Sequence, residues 1–174
     1  RDILDGATAA MILGPDAEDL ILLFEEIIAD CHDIEKWTVL EAVAGVTLES
    51  TLFMIEVDLL MAVEEIGSPL GLSLALRALS DQEDGLHVFA IDAIKSIGPA
   101  AAEAVPNLLQ YIQAFEPTGL SNDHREYRRT LRRNACEALG VIRSPDGLTG
   151  LLQVAEGGMP LDVRLAAFKA IDPW

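Results

Sequence analysis

Disulfides, bases, histidines and aromatics are all scarce in this 174-residue chain, and each scarcity removes a class of function. Two cysteines, Cys31 and Cys136, cannot build a disulfide framework, so reduced and buried thiols are expected. Twelve bases stand against 29 acids for a net charge of −17, a field that repels nucleic acid and anionic lipid. Aromatics make up 5% of the residues, which leaves little for stacking on bases. Charges such as Glu49, Glu56, Asp58, Glu64 and Glu65 cut every apolar run well short of a membrane span. The first residues, Arg1-Asp2-Ile3-Leu4-Asp5, are acidic where a signal peptide needs a basic and then an apolar run. A soluble, cytoplasmic protein without nucleic-acid or membrane partners is therefore expected.

Catalytic signatures are missing too. Ser, His and acidic residues are scattered with no nucleophile elbow and no phosphate-cradling glycine loop. Asp30-Cys31-His32-Asp33 gathers four ligand-type residues, but neighbours on a helix end diverge, and His87 and His124 stand alone. These features predict neither an enzyme, nor a metal centre, nor a cofactor.

What the chain does contain is repetition. Ile66-Gly67-Ser68-Pro69-Leu70-Gly71-Leu72 returns 76 positions on as Ile142-Arg143-Ser144-Pro145-Asp146-Gly147-Leu148, with Ala62 over Ala138 and Leu76 over Leu152. A third copy, Ala90, Ala93, Ile94, Ile97, Gly98 and Pro99, lies between them. Small residues three apart, then an aliphatic, a glycine and a proline, describe a closely packed helix with an abrupt stop. The stripe Ala101, Ala104, Val105, Leu108, Leu109 and Ile112 predicts a second helix over 100–113, making the unit a helical hairpin. A further unit is predicted to start at Pro160, where Arg164, Ala167, Ala170 and Ile171 repeat Arg132, Ala135, Ala138 and Leu139. Upstream, Ala9, Leu13, Gly14 and Pro15 precede Leu20, Leu23, Phe24, Ile27 and Ile28 on one face, with an additional helix predicted over Trp37 to Ala44. Because Asp172-Pro173-Trp174 gives the last helix no second helix, capping by another chain, self-association, or a longer array is expected there.

The series Arg132, Ala135, Ala138, Leu139, Gly140 and Ile142, echoed by Val163, Arg164, Ala167, Ala170 and Ile171, resembles the bacterial and archaeal HEAT-like repeats, which include those of the phycobilin lyase subunits. The resemblance covers roughly residues 50 to 174 well and 1 to 50 loosely. It implies an all-α fold, an α-α superhelix of stacked helical hairpins, as one domain over 1–174: divergent N-terminal helices to residue 50, then HEAT-like repeats with an insertion near 116–124. It also implies second helices lining a concave face that is used mostly for protein contacts. A non-enzymatic interaction scaffold is the expected function. An accessory subunit of a bilin-lyase-like enzyme and an acidic inhibitor or immunity-type protein for a basic enzyme are the alternatives.

Two surfaces are candidates for the partner. On the second helices the outward positions are predicted to be Glu18, Leu22, Glu25 and Glu26, then Leu70, Leu74 and Arg77, then Glu103, Asn107 and Gln110, then Gly150, Gln153 and Val154. Apolar centres with acidic ends suit a basic or amphipathic segment. The other surface is an arginine stripe, Arg125, Arg128, Arg129, Arg132 and Arg133, at i, i+3, i+4, i+7 and i+8. Arg128 and Arg132 fall nearest the core edge and are expected to pair with acids of neighbouring repeats. Arg125, Arg129 and Arg133 either join such bridges or meet an anion or acidic partner, beside the solvated loop Glu116 to Asp123.

Overall fold

A computed structural model describes residues 48–80, 84–114, 119 and 121–172. The predicted N-terminal helices, with Glu18, Leu22, Glu25, Glu26, the Asp30–Asp33 cluster and the Trp37–Ala44 segment, lie outside the described residues, as do 115–118, 120, 173 and 174. The described residues are all-helical, with no strand among them and no helix long and apolar enough to cross a membrane.

The repeated segment is a corner between two helices. Helix α1 (Leu48–Ile66) stops at Gly67, whose φ of 67° only glycine adopts without steric penalty, and the Gly67 N–H closes the helix on the Val63 carbonyl at 2.8 Å. The Ser68 hydroxyl then accepts from the Leu70 N–H at 3.3 Å, Pro69 opens a 3-10 turn (Pro69–Gly71), and α2 (Leu72–Ser80) follows. After a second 3-10 turn (Asp84–Leu86) comes α3 (His87–Ile97), which ends at Gly98 with φ 68°. At this corner Pro99 follows directly and no serine caps the turn. The chain tightens into a 3-10 stretch (Gly98–Ala104) before α4 (Val105–Gln113). The single helix expected over 100–113 is thus two pieces. Pro106 has no N–H to give the carbonyl four residues back, so the α-helix restarts with that proline in its first turn.

The third corner follows the long helix α5 (Asn122–Ile142). Ser121 caps it by accepting from the His124 N–H at 3.2 Å, so the insertion gives way to helix before the expected residue 124. Arg143, in the left-handed region (φ 55°, ψ 44°), takes the positive-φ place that glycine holds at the other two corners, and its N–H reaches the Leu139 carbonyl at 3.2 Å. Ser144 then accepts from the Gly147 N–H at 3.0 Å, with Pro145 opening α6 (Pro145–Glu156). Pro160 immediately precedes α7 (Leu161–Ile171) and supplies its carbonyl to the Arg164 N–H at 3.0 Å.

Two layers result. Helices α1, α3, α5 and α7 pack each on the next, α2, α4 and α6 lie alongside one another, and the core runs between the layers. Leu60, Ile91, Ile94, Leu108, Ile112, Leu131, Leu139, Leu151 and Val163 are fully buried, each worth about 1.5–3 kcal/mol of transfer free energy. Close approach within the first layer is carried by Ala62, Ala90, Ala93, Ala135, Ala138 and Ala167, all buried. A Cβ on Gly140 would stand 2.9 Å from both the Cβ and the carbonyl oxygen of Ala170, so α5 and α7 meet almost backbone to backbone.

An acidic ridge crosses this layer. Lys95 on α3 bonds Glu137 on α5 at 2.7 Å, and the Ser96 hydroxyl donates to the Glu64 carbonyl of α1. Burial, then the charges of Asp92 and Glu65, raises the Glu64 carboxyl above its ordinary range against the pull of Lys95. Asp92 is raised as well, first by burial, with Lys95 opposing and Glu137 reinforcing.

Two outcomes are expected. Arg143→Gly should raise stability by about 0.5–1 kcal/mol, because relief of the left-handed strain exceeds the added unfolded-state entropy; chemical denaturation would measure it. Asp92→Asn should raise the melting temperature near neutral pH. A carboxyl raised on folding contributes stability below its unfolded value and loses it as pH rises through the folded one, so the advantage of the Asn variant should shrink as pH falls into the carboxylate range. A gap that widened in acid would contradict the assignment.

Candidate functional site

A recess of about 370 Å³ opens where the ends of α2 and α4 meet α5, lined by Leu79, Ser80, His87, Asn107, Gln110, Tyr111, Ala114, Arg128 and Arg132. Short helices create it. Helix α2 ends at Ser80 and α4 at Gln113, while α5 runs for 21 residues and sets Arg128 and Arg132 against their ends. Arg132 is 4% exposed, and its Nη2 donates to the Ala114 carbonyl at 2.5 Å, satisfying an acceptor just past the end of α4. Arg128, half-buried, lies one helical turn earlier on the same face. His87, at the start of α3, is buried with its ring edge-on to Tyr111, the centroids 5.2 Å apart at 82°.

The structure thus joins Asn107 and Gln110 of the second-helix face to Arg128 and Arg132 of the arginine stripe. Arg133 bridges two units, reaching Asp162 of α7 at 3.5 Å, with Glu126 at 3.9 Å and the Thr130 hydroxyl at 2.8 Å. Arg129 stands 3.9 Å from Glu126. Arg125 is exposed in the first turn of α5, where its backbone N–H closes on the Ser121 carbonyl. Arg128 and Arg132, expected at register-fixing bridges, also line the recess. The Arg133 bridge is tertiary: Asp162 sits in the first turn of α7, and periodicity within α5 carries no information about it.

Three outward positions are also corrected. Leu74 is 2% exposed and belongs to the core with Ala75, Ala78 and Leu79. Because α2 begins only at Leu72, the four-residue step from Leu70 to Leu74 crosses a 3-10 turn and changes face. Leu70 is exposed as expected. Gly150 receives the Leu109 side chain of α4, which makes its stripe the contact face of α6 and buries Val154 one turn on. Arg77, Glu103 and Gln153 are exposed, Arg77 reaching Glu56 of α1 at 3.4 Å.

Chemically, the recess assembles guanidinium, carboxamide, imidazole, phenol and hydroxyl groups, and none of the residues lining it is a carboxylate. Such a set is rich in donors and can recognise hydrogen-bond acceptors. Ser80 donates to the Leu76 carbonyl at 2.8 Å, within its own helix. Cys136 is buried and free, its thiol pushed up to about 12 by burial and then by Glu137, which keeps it protonated. Among the described residues no group of three His, Cys, Asp or Glu side chains is placed to hold a metal ion. The sequence missed His87, Tyr111 and Ser80, whose only signal was position at helix ends that periodicity fixes poorly. Comparison with protein families, with curated proteins and with solved structures finds no match to this chain.

Proposed function

We propose that this chain is a HEAT-like α-solenoid acting as a non-enzymatic protein-binding scaffold, with the partner on the second-helix layer and a polar anchor in the recess. The observation that carries this reading is the convergence of Asn107 and Gln110 with Arg128 and Arg132 in one concavity beside exposed Arg77 and Gln153. A partner segment that places an acceptor-rich group in the recess would be held by charge-assisted hydrogen bonds and would lie along α2, α4 and α6. The supporting groups are donors for recognition, and the chain's charge disfavours nucleic acid. A cytoplasmic setting with reduced cysteines belongs to the same reading.

Self-association through the last repeat is part of the proposal. Leu161, Leu165 and Phe168 are 77%, 51% and 53% exposed at i, i+4 and i+7 on α7, an apolar stripe suited to a second helix face.

The test is comparative affinity capture from the native host with the wild type and with Asn107→Asp/Gln110→Glu, a near-isosteric change that lines the recess with carboxylates. The wild type should retain a protein that the variant loses by about tenfold or more, with both melting alike. Identical capture by the two would remove the recess from the binding face.

A further inference from the structure

The first-helix layer carries a second concavity to which the second helices contribute nothing. It is an open groove of about 620 Å³ where α3, α5 and α7 lie side by side, lined by Lys95, Pro99, Glu137, Gly140, Val141, Arg143, Lys169 and Ala170. Its floor is apolar because the small residues Gly140 and Ala170 bring α5 and α7 together there, leaving Pro99 exposed and Val141 40% exposed beside them. Its rim is basic. Three of the chain's twelve cations stand around it with one acid, Glu137, which Lys95 already holds at 2.7 Å. Arg143 and Lys169 make no ion pair or side-chain hydrogen bond with any described residue.

In a chain with 29 acids, two unassigned cations flanking an exposed apolar floor reverse the local charge. Arg143 adds an independent sign. The equivalent corners use Gly67 and Gly98 at φ 67° and 68°, whereas this corner accepts a left-handed arginine at φ 55° that gains no ion pair in return. Strain at one copy of a repeat, relieved by glycine in its sisters, points to a use for the side chain outside the fold. Exposed guanidinium and ammonium groups around an apolar floor are complementary to carboxylates that flank an apolar side chain. An open groove formed by three helices suits an extended or helical peptide better than an enclosed small molecule.

We propose that this groove docks an acidic segment of a partner protein, with an apolar side chain on Val141 and Pro99 and carboxylates on Arg143 and Lys169. The site is separate from the recess on the other layer and stands whether or not that recess binds.

A displayed library of peptides of about twelve residues, selected against the full chain, tests it. Recovered peptides measured by fluorescence anisotropy should share acidic residues around an aliphatic or aromatic one and should bind more weakly as salt rises. Arg143→Gly, which relieves backbone strain, should weaken them by about tenfold, Lys169→Glu by more, and Asn107→Asp/Gln110→Glu by less than about twofold. Equal binding to wild type, Arg143→Gly and Lys169→Glu would overturn the proposal, as would a selection without an acidic family. A wild-type dimer converted to monomer by the groove variants would assign the face to a second copy and overturn the partner segment equally.

Discussion

The structure depends on how closely the first helices of successive units approach one another. Alanines at 62, 90, 93, 135, 138 and 167 and a glycine at 140 carry no bulk, so α1, α3, α5 and α7 pack with short interaxial separations while Ile91, Ile94, Leu131 and Leu139 fill the space towards the second layer. That closeness is what lets the Ser96 hydroxyl reach a backbone carbonyl of α1 and Lys95 reach Glu137 of α5. A larger residue at 140 would have to displace Ala170 or its carbonyl, and with it the register of α7 on α5. The overpacking cost of such a change is typically about 1–3 kcal/mol.

Close packing in one layer imposes a constraint on the corners. Helices α1, α3 and α5 each stop at a residue of positive φ whose N–H returns to the last turn, with proline one or two residues on. At Gly67 the need is double, because a Cβ there would also meet the Ser96 carbonyl of the neighbouring helix at 3.3 Å. Gly98 faces looser surroundings, the nearest contact to a Cβ there being Val141 at 3.8 Å, so at that corner the positive φ and not the neighbouring helix calls for glycine.

The fold was legible in the sequence to the extent that its determinants are local. Gly67-Ser68-Pro69 and Arg143-Ser144-Pro145 encode turn, cap and first helical residue within three positions, and the alanine spacing encodes close packing on the same helix; the serine cap forms at both of these corners, while the Gly98-Pro99 corner lacks it and runs on as a 3-10 stretch. Leu74 was misread because helical phase was carried across a 3-10 turn, where the rotation per residue differs. The recess was half legible: Asn107 and Gln110 project from α4 as periodicity requires, while the division of labour among five arginines depends on where Asp162 and the Ala114 carbonyl arrive from other elements. An acid in the first turn of a later helix, and the open end of a short one, leave no mark on the periodicity of α5.

The distribution of positive charge follows from the same geometry. With acids outnumbering bases by 29 to 12, a cation placed at random on this surface would find a carboxylate, and the described cations largely do so or close a helix end. Arg77 meets Glu56, Lys95 meets Glu137, Arg133 meets Asp162, and Arg132 and Arg164 each take a carbonyl, Ala114 and Ala155. The carbonyl pairings matter more for the fold, because a buried guanidinium without acceptors is costly and a helix C-terminus without donors leaves its last carbonyls unmet. The first-helix layer is therefore where an arginine and a lysine are left over, one of them held in a strained backbone, next to an acidic ridge whose own carboxyls are raised by burial. Salt acts on the two parts in opposite senses, screening the repulsion along the ridge while weakening the attraction of the groove cations for an anionic ligand. Among the described residues, the first-helix layer both packs most closely and carries the two cations, Arg143 and Lys169, that the fold leaves without a side-chain partner.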